Sequence, residues 1–521
     1  MVCHDGGVRT DLRAALGATA LATVSLLAAA APVSAAFEPG AKSLGDPIFP
    51  QIGNGGYDVS HYAVDLDYDP ATNRFDAGTR TTITARATQD LSRFSLDFQR
   101  DLEIDAVTVD GVAATRVARA AARPRLSDNP DVTQPAKLTV TPAAGIADGD
   151  QFEVVVAYHG RPQAIVDVDT SLEGWVRACS TPGDCDGSFT VNEPIGAQSW
   201  FPCNDHPSDK ATFELRTTAP SAYTAIGAGR RVSRIDNGDG TATTTWVEER
   251  PMAPYLATGT VGLFDVTTAT MTDHTGGATI PIFTATDSAG APDRKAAVAA
   301  TADRLPEIVN FLSRRLGPYP FETTGLVADW VPSVGYVLEN QTKPHFAGNE
   351  DGPSAGPSVL AHEIAHQWMG DSVSPRQWNV IWHSEGWATY FEVLFDHRVE
   401  GSELTPRRFF REVYRSERQS WRLAPAKLDD DPANLFSGFA VYNRPGAMLE
   451  GLREIIDGPR FADLTRGIAA SRRFGDIRRG QFVAEAERAS GFHGAKLRRL
   501  GRYLRQWLLW EKRPHLTPSD F

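Results

Sequence analysis

A multidomain α+β protein is predicted, with an all-β, sandwich-like domain first and a mainly helical domain after it. Two stretches of different periodicity carry that prediction. From about Asp58 to Val266 apolar residues recur at every second position, and beyond about Thr268 they recur at helical spacing. At 521 residues there is room for about two to four domains. Hydrophobic residues make up 41% of the chain, with 25 Phe and 11 Trp, so disordered and collagen-like chains are excluded, since these lack the apolar surface to offset ordering entropy. Lys and Arg total 52 against 65 Asp and Glu, a net charge of −13, which argues against a nucleic-acid partner held by phosphate neutralisation.

Residues 1–36 read as an export signal. Arg9 and Arg13 precede an apolar run from Ala14 to Ala31, and Val33-Ser34-Ala35 before Ala36 offers the small residues of a cleavage site. The alternative is an uncleaved anchor, but the run is mostly alanine and no other segment approaches membrane length, so a secreted or periplasmic protein without a stable membrane anchor is expected. Cysteine usage agrees with export. Cys3 leaves with the signal, and the Pro182-Gly183 turn between Cys179 and Cys185 brings these two within reach of a disulfide. Cys203 is left as a small buried apolar residue, and no Cys-x-x-Cys pair suggests a cysteine zinc site.

The β domain is expected over 37–267. Tyr62, Val64, Leu66 and Tyr68 alternate with Ala63, Asp65 and Asp67; Phe94, Leu96 and Phe98 repeat the pattern; Gln151 to Tyr158 is Val-rich; and Asp110-Gly111, Asn237-Gly238 and Asp239-Gly240 mark turns. The second domain is expected over 268–521. Pro292 to Leu316 has helical spacing until Gly317-Pro318-Tyr319-Pro320 ends it, some strand precedes Asp329, and stretches near 358–369, 385–399, 446–456 and 495–511 are helical in pattern.

The chemistry is concentrated in His362-Glu363-Ile364-Ala365-His366. Residues four apart share a helix face, so the two imidazoles can converge on one ion with Glu363 beside them; the bland reading is two histidines on an amphipathic helix. A catalytic zinc takes a third protein ligand and keeps a position open for water. Glu385, starting the next helical stretch, can return to the ion, and Glu392, two turns on, can hydrogen-bond a ligating imidazole; each has a surface-carboxylate alternative. One Zn2+ per chain would lower the pKa of water toward about 7, leaving Glu363 as the general base, with a donor needed opposite it for the oxyanion.

These residues resemble the zinc signature of the aminopeptidase N family of zinc metallopeptidases, in the gluzincin group: His362-Glu363-x-x-His366 with Glu385 in Trp382-x-x-Glu385-Gly386-x-Ala388. Glu193-Pro194, Phe201-Pro202-Cys203-x-Asp205-x-Pro207, Lys210-Ala211-Thr212-Phe213, Gly317-Pro318-Tyr319-Pro320-Phe321 and Gly370-Asp371-x-Val373 are similar to further segments of that family. The resemblance, to the short bacterial type without a C-terminal helical domain, implies a thermolysin-like catalytic domain that removes N-terminal residues from peptides with a free N-terminus. It also implies roles that spacing alone does not give. Glu339, in Leu338-Glu339-Asn340, and Glu193 would bind the substrate's α-amino group, and Tyr442 would donate to the oxyanion. Tyr336-Val337 stands where the family has Gly-Ala, His383-Ser384 where it usually has Leu-Asn, and Pro445 is an extra residue after Arg444. A zinc endopeptidase and a non-catalytic peptide-binding homologue are the rival readings. Asn340-Gln341-Thr342 is formally a glycosylation sequon, but a glycan there would obstruct the cleft.

Overall fold

The alternating residues of the first half build a broad mixed sheet in which strand Tyr57–Asp69 pairs with Arg80–Ala87 on one side and, in parallel, with Ala211–Pro220 on the other. Tyr62, Val64, Leu66 and Tyr68 are all buried to 2% exposure or less, so the two-residue period does mark the core face. A computed structural model describes residues 36–181, 183–348 and 356–521; the expected signal, apart from Ala36, and Pro182 lie outside them.

A second sheet carries Leu91–Asp97 and Ala136–Thr141. Here alternation fails, because Ser95 and Asp97 are as buried as Phe94 and Leu96. Asp97 faces a polar knot within the domain: its carboxylate accepts from Lys137 Nζ at 2.5 Å, Asn54 Nδ2 at 2.8 Å, and the backbone N–H groups of Gly53 and Asp205 at 3.1 and 3.0 Å. This knot fixes the Phe201–Asp205 segment, where Cys203 is a buried free thiol. A five-stranded sheet includes the hairpin Leu172–Thr181 and Asp184–Val191, whose facing residues Cys179 and Cys185 form the disulfide.

The second half opens with strands Phe264–Thr272, Thr279–Asp287 and Thr324–Asp329 of another five-stranded sheet, completed by His345–Ala347 with Val337–Leu338 at its edge. The first of these strands runs through residues 267 and 268, so the change of periodicity falls inside a strand. Nine α-helices follow among the described residues: α1 (Pro292–Ala302), α2 (Leu305–Leu316), α3 (Pro357–His366), α4 (Ile381–Arg398), α5 (Pro406–Arg415), α6 (Arg444–Ile456), α7 (Gly458–Ser471), α8 (Arg479–Ser490) and α9 (Gly494–Leu509). The helical pattern from Pro292 to Leu316 is two helices, not one. Pro306 has no N–H to continue the α1 ladder and is suited to the first turn of α2. Likewise α4 begins at Ile381, so Glu385 lies a turn inside the helix rather than at its start.

Between the halves, Lys210 Nζ reaches from the β domain to the carbonyls of Asp371 and Ser372, at 2.6 and 3.1 Å, just beyond the end of α3. The core of the second half is aromatic, with Trp382, Trp387, Trp421 and Trp507 each 1% exposed or less. Lys137→Met leaves the Asp97 carboxylate buried without its counter-charge, and a loss of about 3–5 kcal/mol is expected. Its measure is a lowered unfolding midpoint; an unchanged midpoint would show that the polar knot contributes nothing.

Candidate metal centre

Helix α3 starts at Pro357, and its apolar residues Leu360, Ala361, Ile364 and Ala365 are fully buried. That fixes the rotation of the helix and turns His362, Glu363 and His366 toward a common centre. Helix α4 packs on α3 and brings Glu385 to the two imidazoles. The Nε2 atoms of His362 and His366 lie 3.2 and 3.4 Å from the same Glu385 oxygen. On the far side of the ring, His362 Nδ1 is 2.9 Å from Glu392 Oε2.

Gly370 shows how tightly the first ligand helix is terminated. Its φ is 150°, and a Cβ there would stand 3.0 Å from His366 Nδ1. On α4, a Cβ at Gly386 would lie 2.5 Å from the Cβ of Pro445, so the extra proline of α6 packs directly beside Glu385. The chain before α6, Gly438–Asn443, forms a widened π-type turn, which accommodates Pro445 while leaving Tyr442 facing His362, with ring centroids 6.1 Å apart and planes at 24°.

Two further carboxylates converge from outside these helices. Oxygens of Glu193, Glu339 and Glu385 lie within 4.8 Å of one another, and Glu339, Glu363 and His366 form a second set at that spacing. Their placement depends on neighbours. Asn192 donates to the Ala257 carbonyl at 2.6 Å, and Asn340 donates to the same carbonyl at 3.2 Å, so the residues beside Glu193 and Glu339 hang from one backbone oxygen. Asn340 is fully buried, which leaves its sequon inaccessible to a glycan. Gln367 joins this segment to α3, accepting from Thr342 N–H at 2.8 Å and donating to the Glu339 carbonyl at 3.0 Å.

Burial sets the electrostatics. It pushes the Glu193 carboxyl well above the usual range, with Glu339 and Glu385 adding to the rise. Glu339 also rises by burial, partly offset by His366. Glu363 is pushed up to about 7 by burial, against the pull of both imidazoles. Burial acts the same way on Glu385, but His366 and the bonds from both rings outweigh it and hold this pKa at about 2. Burial opposes protonation of the imidazoles, yet the carboxylates win: Glu385 and Glu392 raise His362, and Glu385 and Glu339 raise His366 to about 9.

All the residues singled out from sequence therefore meet, apart from the disulfide pair. Two imidazole nitrogens and one carboxylate oxygen converging with a second carboxylate behind the first imidazole fit zinc, whose sites favour that donor set and whose histidines are oriented by such partners. Glu193 and Tyr442 also line a cavity of about 200 Å3 with Tyr336, Leu338 and Phe436. Sequence reasoning missed Gln367 and Tyr255. The Tyr255 hydroxyl is buried with no hydrogen-bond partner among the described residues, and its ionisation is suppressed by burial and then by Glu339 and Glu193. Neither residue carries a sequence signal, because each is defined by what surrounds it.

The Peptidase M1 N-terminal domain model matches residues 58–256, and the Peptidase family M1 domain model matches residues 347–507. Glutamyl aminopeptidase of Sus scrofa is 28% identical over 224 residues, covering 40% of this chain and 22% of that protein. Aminopeptidase M1-A of Oryza sativa subsp. japonica is 30% identical over 220 residues, covering 40% and 24%. The matched region thus spans about a quarter of the length of these relatives. The fold is shared with a mutant M1 zinc metallopeptidase from Deinococcus radiodurans, with a TM-score of 0.74, 23% identity, and coverage of 91% of this chain and 100% of that one. A second structure of that protein, bound to a Tyr-Ser-Ala substrate, gives 0.73 and 23%, covering 91% and 98%.

Replacing Glu392 by Gln removes the charge behind His362 while keeping a hydrogen-bonding group. Zinc affinity is expected to fall about 10–100-fold, read by chelator competition. Unchanged affinity would make Glu392 a bystander.

Proposed function

We propose that this chain, which belongs to peptidase family M1, is an exported zinc aminopeptidase that hydrolyses the N-terminal peptide bond of peptides. The carrying observation is the placement of Glu193 and Glu339 beside Glu385: two carboxylates whose oxygens lie within 4.8 Å of that expected metal ligand, with no lysine or arginine paired to either among the described residues. His362, His366 and Glu385 would hold the zinc, which when bound supplies Lewis acidity to water and to a carbonyl.

The chain's own groups supply the rest. An α-amino group has a pKa of about 8 and is mostly an ammonium at neutral pH. Glu193 and Glu339, destabilised as anions by burial and by Glu385, gain from that cation and gain nothing from an interior amide. The anchor therefore sets the register, so that the first peptide bond reaches Glu363. Burial raises the proton affinity of this carboxylate, which favours taking a proton from water before returning it to the leaving amine. Tyr442, kept neutral by burial and then by the charge of Glu385, presents its hydroxyl as donor to the developing oxyanion. The names of the aminopeptidase relatives and the peptide bound to the similar structure support peptide substrates. The Cys179–Cys185 disulfide and the leader-like residues 1–36 support export to the periplasm or medium, and among the described residues no helix is long and apolar enough to cross a membrane.

The test is hydrolysis of aminoacyl p-nitroanilides with a free or an acetylated amine. The free amine is expected to be cleaved and the acetylated one to be nearly inert; equal rates would overturn the exopeptidase reading in favour of an endopeptidase. Glu363→Gln is expected to lower kcat by about 10²–10⁴-fold with zinc retained. Tyr442→Phe should lower kcat by about 10²–10³-fold with little change in KM, and a KM effect alone would remove it from the oxyanion role.

A further inference from the structure

Away from the metal centre, α2, α4, α5 and α6 surround an open cavity of about 660 Å3. Arg314 and Arg315 of α2, Arg398 of α4, Arg407 of α5 and Arg453 of α6 all line it, and Glu450 is the one acidic residue there. Two of the five arginines are committed to carboxylates. Arg453 forks onto Glu450 through two bonds of 2.7 Å, and Arg407 meets Glu454 at 3.1 Å. Arg314, Arg315 and Arg398 have no ion pair among the described residues. Arg315 lies over the Phe311 ring at 3.7 Å, which holds its guanidinium at the cavity wall. Its pKa falls to about 10, mainly through burial and then through the like charge of Arg314. In a chain with a net charge of −13, cations without carboxylate partners gathered around one concavity run against the overall balance, and a bound anion would relieve the part of their repulsion that solvent does not screen.

We propose that this cavity binds a small multivalent oxyanion of the oligophosphate class. Guanidinium forks match tetrahedral oxyanions through paired N–H bonds; Arg315 gives Nη1 to the Phe311 carbonyl at 2.5 Å and keeps its other donors, and together with Arg314 and Arg398 it calls for more than one such group. The volume exceeds what a single inorganic phosphate fills, while the acidic remainder of the surface disfavours a long nucleic acid. Arg398 closes the helix on which Glu385 sits near the opposite end, about 20 Å away, so the site is separate from the peptidase centre and its existence does not depend on that activity.

The experiment is calorimetric titration of the zinc-loaded protein with sodium tripolyphosphate at low ionic strength. Saturable one-site binding is expected, weakening at least about tenfold in the Arg314→Gln, Arg398→Gln double variant and hardly at all in Arg411→Gln, an exposed position on α5 outside the cavity lining. Both replaced cavity side chains are exposed, so the fold is expected to persist, and unchanged p-nitroanilide hydrolysis checks this. Parallel titrations with ATP and citrate separate a nucleoside-bearing or carboxylate source from oligophosphate itself; tighter binding of citrate than of tripolyphosphate would overturn the assignment. Absence of saturable binding at millimolar tripolyphosphate, or equal losses in the double and Arg411 variants, would overturn it as well.

Discussion

Glu193, Glu339, Glu363 and Glu385 are buried together around two imidazoles, with no lysine or arginine paired to any of them among the described residues. Burying like charges is costly, and each carboxylate raises the proton affinity of the next. Much of the architecture is understandable as the framework that keeps this cluster from dispersing or being flooded. Helices α3 and α4 are pinned by full burial of their apolar faces, Gly370 admits the close turn behind His366, and Lys210 holds the backbone beyond it from the other half of the molecule. The cluster is a demand for cations, one that a divalent metal ion and, in the proposed aminopeptidase, a substrate ammonium group would meet.

The two ends of α4 show how one helix serves opposite electrostatic tasks. Glu385 and Glu392 work on the imidazoles, whereas Arg398 at the other end joins an arginine-lined cavity. A cation at a helix C-terminus is favoured by the backbone dipole, so the basic end is consistent with the helix itself as well as with its neighbours.

Legibility in the sequence followed chain distance. His362, Glu363 and His366 lie on one helix, where spacing alone fixes geometry, and Glu392 shares a helix with Glu385; these could be argued from periodicity. Glu193 and Glu339 come from opposite halves of the chain and are brought together by tertiary bonds such as those to the Ala257 carbonyl, so no local pattern announces them, and their roles rested on resemblance. The parallel pairing of Ala211–Pro220 with Tyr57–Asp69 was invisible for the same reason, as a long crossover leaves no periodic trace. The split of Pro292–Leu316 into two helices was, by contrast, written in Pro306, but the amphipathic spacing on both sides of it masked the break.

The shared tether at Ala257 has a mechanical consequence. Because Asn192 and Asn340 both hang from one carbonyl, small displacements of that peptide carry the two neighbouring glutamates in common mode. Gln367 in addition references the Glu339 segment to the end of α3. In the proposed aminopeptidase, that peptide would govern how deep a substrate's terminus sits, separately from how firmly its ammonium group is gripped.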